Sequence, residues 1–170
     1  NGAVIYLAGS YLSPSTFVND GSPSYAGYLD FLSQQNHNFT RLAGWTQPTW
    51  TTDQLGRSVL SAQPYERTGS GLALDGGAKF DLSRFNQAYF DQLRASVIQA
   101  GQQGIYVSIM LFEGYSTQKQ NTLTNPWLAD PFHRDNNVNG INADPNGTGT
   151  SQGFYATTNA AVLLRQQAFV

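Results

Sequence analysis

No cysteine occurs in the 170 residues, which excludes disulfides and thiolate metal sites and leaves the redox compartment unreadable from thiols. Charge is scarce too: nine Lys and Arg against eleven Asp and Glu make up 12% of the chain and sum to −2. With no run of Lys or Arg there is no electrostatic footprint for nucleic acid or an anionic membrane, and neither is expected as a partner. No stretch nears the ~18 apolar residues needed to span a bilayer, and no basic-then-apolar leader opens the sequence. Glutamate occurs only twice, as Glu66 and Glu113.

What is present suits a folded chain with a neutral surface. The 40% hydrophobic content excludes a disordered chain, and the length allows one sizeable core, so one domain over residues 1–170 is expected. Asn, Gln, Ser, Thr, Gly and Tyr are abundant, a surface chemistry that suits carbohydrate contact. The triplets Asn38-Phe39-Thr40 and Asn146-Gly147-Thr148 match the N-glycosylation pattern, but such triplets arise often by chance.

Periodicity divides the chain into repeated units. "AVIYLAGS" reads as a strand ended by Gly9 and Ser10. "SPSYAGYLDFLSQQN" reads as a helix capped by Ser22, with Pro23 in its first turn and Tyr25, Tyr28, Leu29 and Leu32 on one face. "FTRLAGW" is a second strand. After Trp45 some forty residues lose periodicity and read as one long loop, before "DLSRFNQAYFDQLRASVIQAG" resumes as a helix. Its stripe is Phe85, Tyr89, Leu93, Val97 and Ala100, with Asp81 or Ser83 as cap and Gly101 or Gly104 as stop. "IYVSIMLF" is a third strand, a second long excursion runs from Gly114 to about Thr157, and "TTNAAVLLRQQAFV" is a last helix.

Strand, excursion and helix thus recur three times, which predicts an α/β fold with parallel strands and crossover helices. Helix-to-strand links are short, whereas strand-to-helix links are long and hold most of the Trp, His, Asn and Asp residues. The elaborated side is the one beyond the carboxyl ends of the strands, where α/β folds place their sites. Glu113 stands there, at the tip of the apolar run "GIYVSIMLFEGYS". An open three-stranded parallel sheet leaves an unpaired edge, and the last helix carries no stop signal. On those grounds the chain reads as a fragment, roughly three of eight βα units, and such an excised piece is expected to be marginally stable.

"NFTRL", "FDLSRFNQAYFDQLRASVIQAGQQGIYVSIMLFEGYS" and "PFHRDNNVNGIN" resemble the N-terminal part of the cellulase-like glycoside hydrolases, from Val4 to Val170. The resemblance implies an incomplete (β/α)8 TIM-type barrel, a retaining glycosidase acting on β-linked polysaccharide or oligosaccharide, and a secreted or extracytoplasmic setting. Retaining members carry an acid/base Glu after the fourth strand, usually in an Asn-Glu pair, and a nucleophile after the seventh. No Asn-Glu pair occurs here. The resemblance therefore leaves the catalytic residues beyond position 170 and the isolated chain inactive, because this chemistry needs two carboxyl groups ~5–5.5 Å apart. Arg41 matches the arginine that ends the second strand in that clan, where it orients the nucleophile. The competing class is a non-catalytic carbohydrate-binding or structural barrel domain.

The substrate-binding candidates are Arg41, Trp45, Glu113, His133, Asn136 and Asn137. Glu113 either accepts from a sugar hydroxyl or pairs with Arg41 across adjacent strand tips. Trp45 either stacks on a pyranose ring or packs its loop; for Trp50 and Trp127, packing leads. His133, Asn136 and Asn137 have the chemistry to meet sugar hydroxyls, while His37 belongs to a surface turn. Residues 135–140 match D-x-N-x-N-G, the opening of a calcium loop. The twelfth position is Asn146 rather than Glu, and no flanking helices are predicted, so Asx turns are the expected use and no metal or cofactor is expected. There is no G-x-S-x-G elbow and no G-x-G-x-x-G opening a helix, which disfavours a serine triad and nucleotide binding.

Overall fold

A computed structural model describes residues 4–10, 24–43, 63–112, 114 and 126–170. In chain order these form β1 (Gly9–Ser10), α1 (Tyr25–Gln34), β2 (Phe39–Ala43), β3 (Tyr65–Leu72), β4 (Ala78–Phe85), α2 (Gln87–Gln102), β5 (Tyr106–Met110) and α3 (Ala160–Phe169), with 3-10 turns over Pro126–Ala129 and Gln152–Phe154. A parallel sheet runs β1-β2-β5, with Gly9 opposite Phe39 and Arg41 opposite Ser108. The alternation of strand and helix thus gives an α/β fold with parallel strands.

Ser24 caps α1, its hydroxyl accepting from the Gly27 N–H at 3.1 Å; the expected cap, Ser22, lies outside the described residues. Tyr28, Leu29 and Leu32 are buried, as the helical spacing required. The Tyr28 hydroxyl donates to the Ser10 carbonyl at 2.8 Å and lies 3.1 Å from Thr40 Oγ1, stitching the helix to two strands. The turn out of α1 passes through Asn36 at φ 56°, a left-handed position that Asn tolerates better than most residues.

The stretch expected to be one long loop instead contains an antiparallel hairpin, β3–β4. Its turn runs through "LDGG": the Ala73 N–H donates to the Gly77 carbonyl at 2.8 Å and Gly76 sits at φ +80°, where a side chain would be strained. The expected start of the second helix moves accordingly. Asp81 and Ser83 lie in β4, and the cap is Asn86, whose side chain accepts from the Ala88 N–H at 3.2 Å. Phe85, placed on the helix stripe by its spacing, is a strand residue stacked on Tyr65 with ring centroids 5.4 Å apart. Asn86→Ala is expected to cost about 1 kcal/mol, the usual loss for a cap, read as a lower midpoint in urea with an unchanged slope.

Among the described residues, two apolar clusters hold these elements. Tyr28, Leu29 and Leu32 of α1 meet Ala100 of α2 and Ile105, with Val107 of β5 against them, so both helices cover one face of the parallel sheet. The second cluster joins Tyr65, Phe80 and Leu82 of the hairpin to Trp127, Phe132, Ile141, Ala143 and Phe154 of the excursion and Val162 of α3. Phe112, just past β5, packs on that cluster, which seats the excursion at the carboxyl end of the sheet.

Candidate functional site

Arg41 is placed by the strand it belongs to. Thr40 bonds to Tyr28 on α1, so its neighbour Arg41 points away from the helices, and Ser108, opposite it on β5, points the same way. Arg41 is exposed on that face. Trp45 and Glu113 follow β2 and β5 closely in sequence, but both, like Trp50, lie outside the described residues.

His133, Asn136 and Asn137 come together in the excursion. Asn136 is 0% exposed. Its Oδ1 accepts from the Leu74 N–H at 2.8 Å, and its Nδ2 donates to the carbonyls of Leu128 and Asp130, each at 2.8 Å. Asn137 is also buried; its Nδ2 lies within bonding distance of the carbonyls of Pro131, His133 and Ile141, and its Oδ1 accepts from the Ile141 N–H. These bonds all end within the chain, so direct contact with a sugar would require breaking them.

His133 is half-buried, and burial pushes its pKa down, an effect opposed by the carboxylates of Asp135 and Asp144. Its Nδ1 accepts from the Asp135 N–H at 3.2 Å, which assigns the ring proton to Nε2 in the neutral form. Trp127 is buried beside it, with ring centroids 5.2 Å apart, and packs the loop as expected.

Asp130 was not among the residues the sequence singled out. It is 0% exposed; one oxygen accepts from the Phe132 N–H at 2.7 Å, and Oδ2 has no hydrogen-bond partner among the described residues. Burial pushes its pKa up to about 7, opposed by the Phe132 bond. The available signal was an acid set between Trp127, Leu128, Ala129 and Phe132. Asp81 behaves oppositely: hydrogen bonds from Ser83 and Asn139 lower its pKa to about 2. Burial raises that of Asp144, but the bonds from Thr148 and Gly149 outweigh it and the net direction is down.

The D-x-N-x-N-G stretch is used internally. Asn137 Oδ1 accepts from the Ile141 N–H, Asn139 Oδ1 accepts from the Leu82 N–H, Asn142 forms an Asx turn with Asp144, and Asp144 accepts from the Thr148 and Gly149 N–H groups. Among the described residues, no group of three or more His, Asp or Glu could hold a metal ion, and no helix is long and apolar enough to cross a membrane.

No family model matches the sequence, and no curated protein does. A crystal structure of a "putative glycoside hydrolase" from Bacteroides vulgatus matches with a TM-score of 0.53 at 20% identity, over 68% of this chain and 22% of that one. This chain therefore spans about a fifth of that protein's length. At this identity the likeness is one of fold, shared with a protein described as a glycosidase.

Proposed function

We propose that the chain is the N-terminal part of a retaining glycoside hydrolase acting on β-linked polysaccharide or oligosaccharide. It would form the first units of a (β/α)8 barrel in a secreted or extracytoplasmic protein, supplying substrate-shaping loops while carboxylates elsewhere in the polypeptide do the bond chemistry. The observation that supports this most is the sheet. Three parallel strands follow sequence order with helices on one face and a long excursion at their carboxyl ends, as in the early units of such a barrel. The fold likeness to a glycosidase agrees with it.

In a closed barrel the face opposite the helices turns inward, which would put Arg41 and Ser108 on the inner wall. There the Arg41 guanidinium would favour the charged form of the nucleophile and fix its orientation through charge-assisted bonds. Trp45, Glu113 and His133 would meet the sugar, and Asn136 and Asn137 would act as positioning residues for the loop that carries His133.

The test is kinetic, on the parent polypeptide with an aryl β-glycoside and with stereochemistry followed by proton NMR. Retention is expected. Arg41→Met should lower kcat on the order of tenfold with little change in KM, the pattern of a group that acts in the transition state. The isolated chain should show no turnover, and turnover by it that vanishes in Glu113→Gln would overturn the assignment of chemistry to later residues. A parent that binds β-glucan without cleaving it would establish the non-catalytic reading instead.

A further inference from the structure

Beside the second cluster, the excursion and the start of α3 line an open cleft of about 710 Å³, within the size range of small-ligand sites. Its walls are fixed by the chain's own bonds. Asn159 Nδ2 donates to the Asn142 carbonyl at 2.9 Å, and the Gly153 N–H donates to the Ala143 carbonyl at 2.8 Å. A Cβ at Gly153 would lie 2.7 Å from that same carbonyl oxygen, so glycine is what allows the two segments to close on each other.

The exposed polar side chains lining it are neutral: Asn146, Gln152 and Thr158. Among the described residues lining the cleft there is no Lys, Arg or His, and the one acid, Asp144, already accepts from Thr148 N, Thr148 Oγ1 and Gly149 N. Small apolar side chains also line it, among them Ala160 and Ala161 of the first turn of α3. A cleft whose described lining combines neutral donors and acceptors, small apolar side chains and no charge beyond the satisfied Asp144 matches a neutral ring that carries hydroxyls on its edge and C–H groups on its face.

The geometry points to this cleft as a secondary binding site for uncharged pyranose units, formed by Asn146, Gln152, Thr158 and the first turn of α3. The inference rests on the proposed carbohydrate function and adds a place on this chain where a neutral glycan is held. With no aromatic ring among the described residues that line it, the cleft lacks the stacking that strengthens sugar contact, so binding is expected to be weak.

The test is a 15N–1H titration of the 170-residue chain with β-1,4-linked hexaoses of glucose, xylose and mannose, and with an oligogalacturonate as the anionic comparison. Neutral sugars should shift the amides of Gln152, Gly153, Ala160 and Ala161. Ala161→Leu, which fills part of the cleft from an exposed helix position without adding a ring that could stack on sugar, should weaken binding about tenfold or more, while Gln152→Ala should weaken it less with the cleft left open. Equal or stronger shifts with oligogalacturonate would overturn the neutral class. Shifts confined to the ends of β2 and β5 would overturn the cleft and leave the proposed function standing. No shift with any sugar overturns the cleft, whereas the proposed function is judged by the retention and Arg41 kinetics of the parent.

Discussion

Asp130→Asn is expected to stabilise the protein by about 4 kcal/mol at pH 8, since each unit of pKa displacement corresponds to about 1.4 kcal/mol. The carboxyl is 0% exposed, has one oxygen without a hydrogen-bond partner among the described residues, and has its pKa pushed by burial from 3.8 to about 7. Because the folded value lies above the unfolded one, the folded state prefers the neutral acid. Stability from this group is therefore intact below about pH 4, falls as pH rises towards about 7, and is flat above that. Among the described residues, the neighbouring Tyr65 on β3 is raised mainly by burial, with Arg165 of α3 opposing and Asp130 adding to the shift. The measurement is urea unfolding from pH 4 to pH 8: the parent chain should lose stability over that range and the Asn variant should lose much less. Equal pH dependence in the two would show that Asp130 is compensated as an anion.

Asn136→Ala should act in the other direction, costing about 3 kcal/mol through buried groups left without partners. Its side chain holds the Leu74 N–H of the hairpin turn and the carbonyls of Leu128 and Asp130, and its own carbonyl accepts from the Phe80 N–H at 2.8 Å. One side chain thus fastens the hairpin to the excursion. Asn136→Asp is the sharper comparison, because the carboxylate keeps the acceptor for Leu74 and loses both donors. Thermal unfolding should rank the parent above Asp, with Ala near or below Asp. A variant as stable as the parent would show that water replaces these bonds.

The three-stranded sheet and both helices that cover it were legible because apolar spacing is set by burial. Tyr28, Leu29 and Leu32 occur at helical intervals and meet Ala100 of α2. The hairpin was missed for a reason visible in its sequence. "AKFDLSRF" has Phe80 and Leu82 buried and Asp81 between them less so, a period of two, but the following helix also accepts Phe85 at a period of 3.6. The "DGG" before it is a hairpin signal that reads equally as a glycine-rich loop. Asn136 and Asn137 drew attention as polar residues in a loop, and sequence carries no sign of whether a side-chain amide faces a ligand or the carbonyls of its own turn. Asp130 was illegible because burial of a single acid depends on contacts with residues distant in the chain. The cleft beside α3 depends likewise on the Ala143–Gly153 and Asn142–Asn159 approaches.

The division of the apolar residues into two clusters bears on how such a chain can diverge. The cluster around Phe80 and Phe154 takes its members from the hairpin, the excursion and α3, and none from β1, β2, β5, α1 or α2. A bridge joins the two, Phe90 of α2, which meets Phe85 of β4 and Phe169 of α3, the latter packed on the second cluster. Away from that bridge, substitutions in the two groups combine nearly additively, so a change tolerated in one cluster places little constraint on the other. The strands and helices can stay nearly fixed while the excursions drift, lengthen or are exchanged as a unit. Novelty in what the molecule holds can then accumulate without renegotiating the framework that presents it.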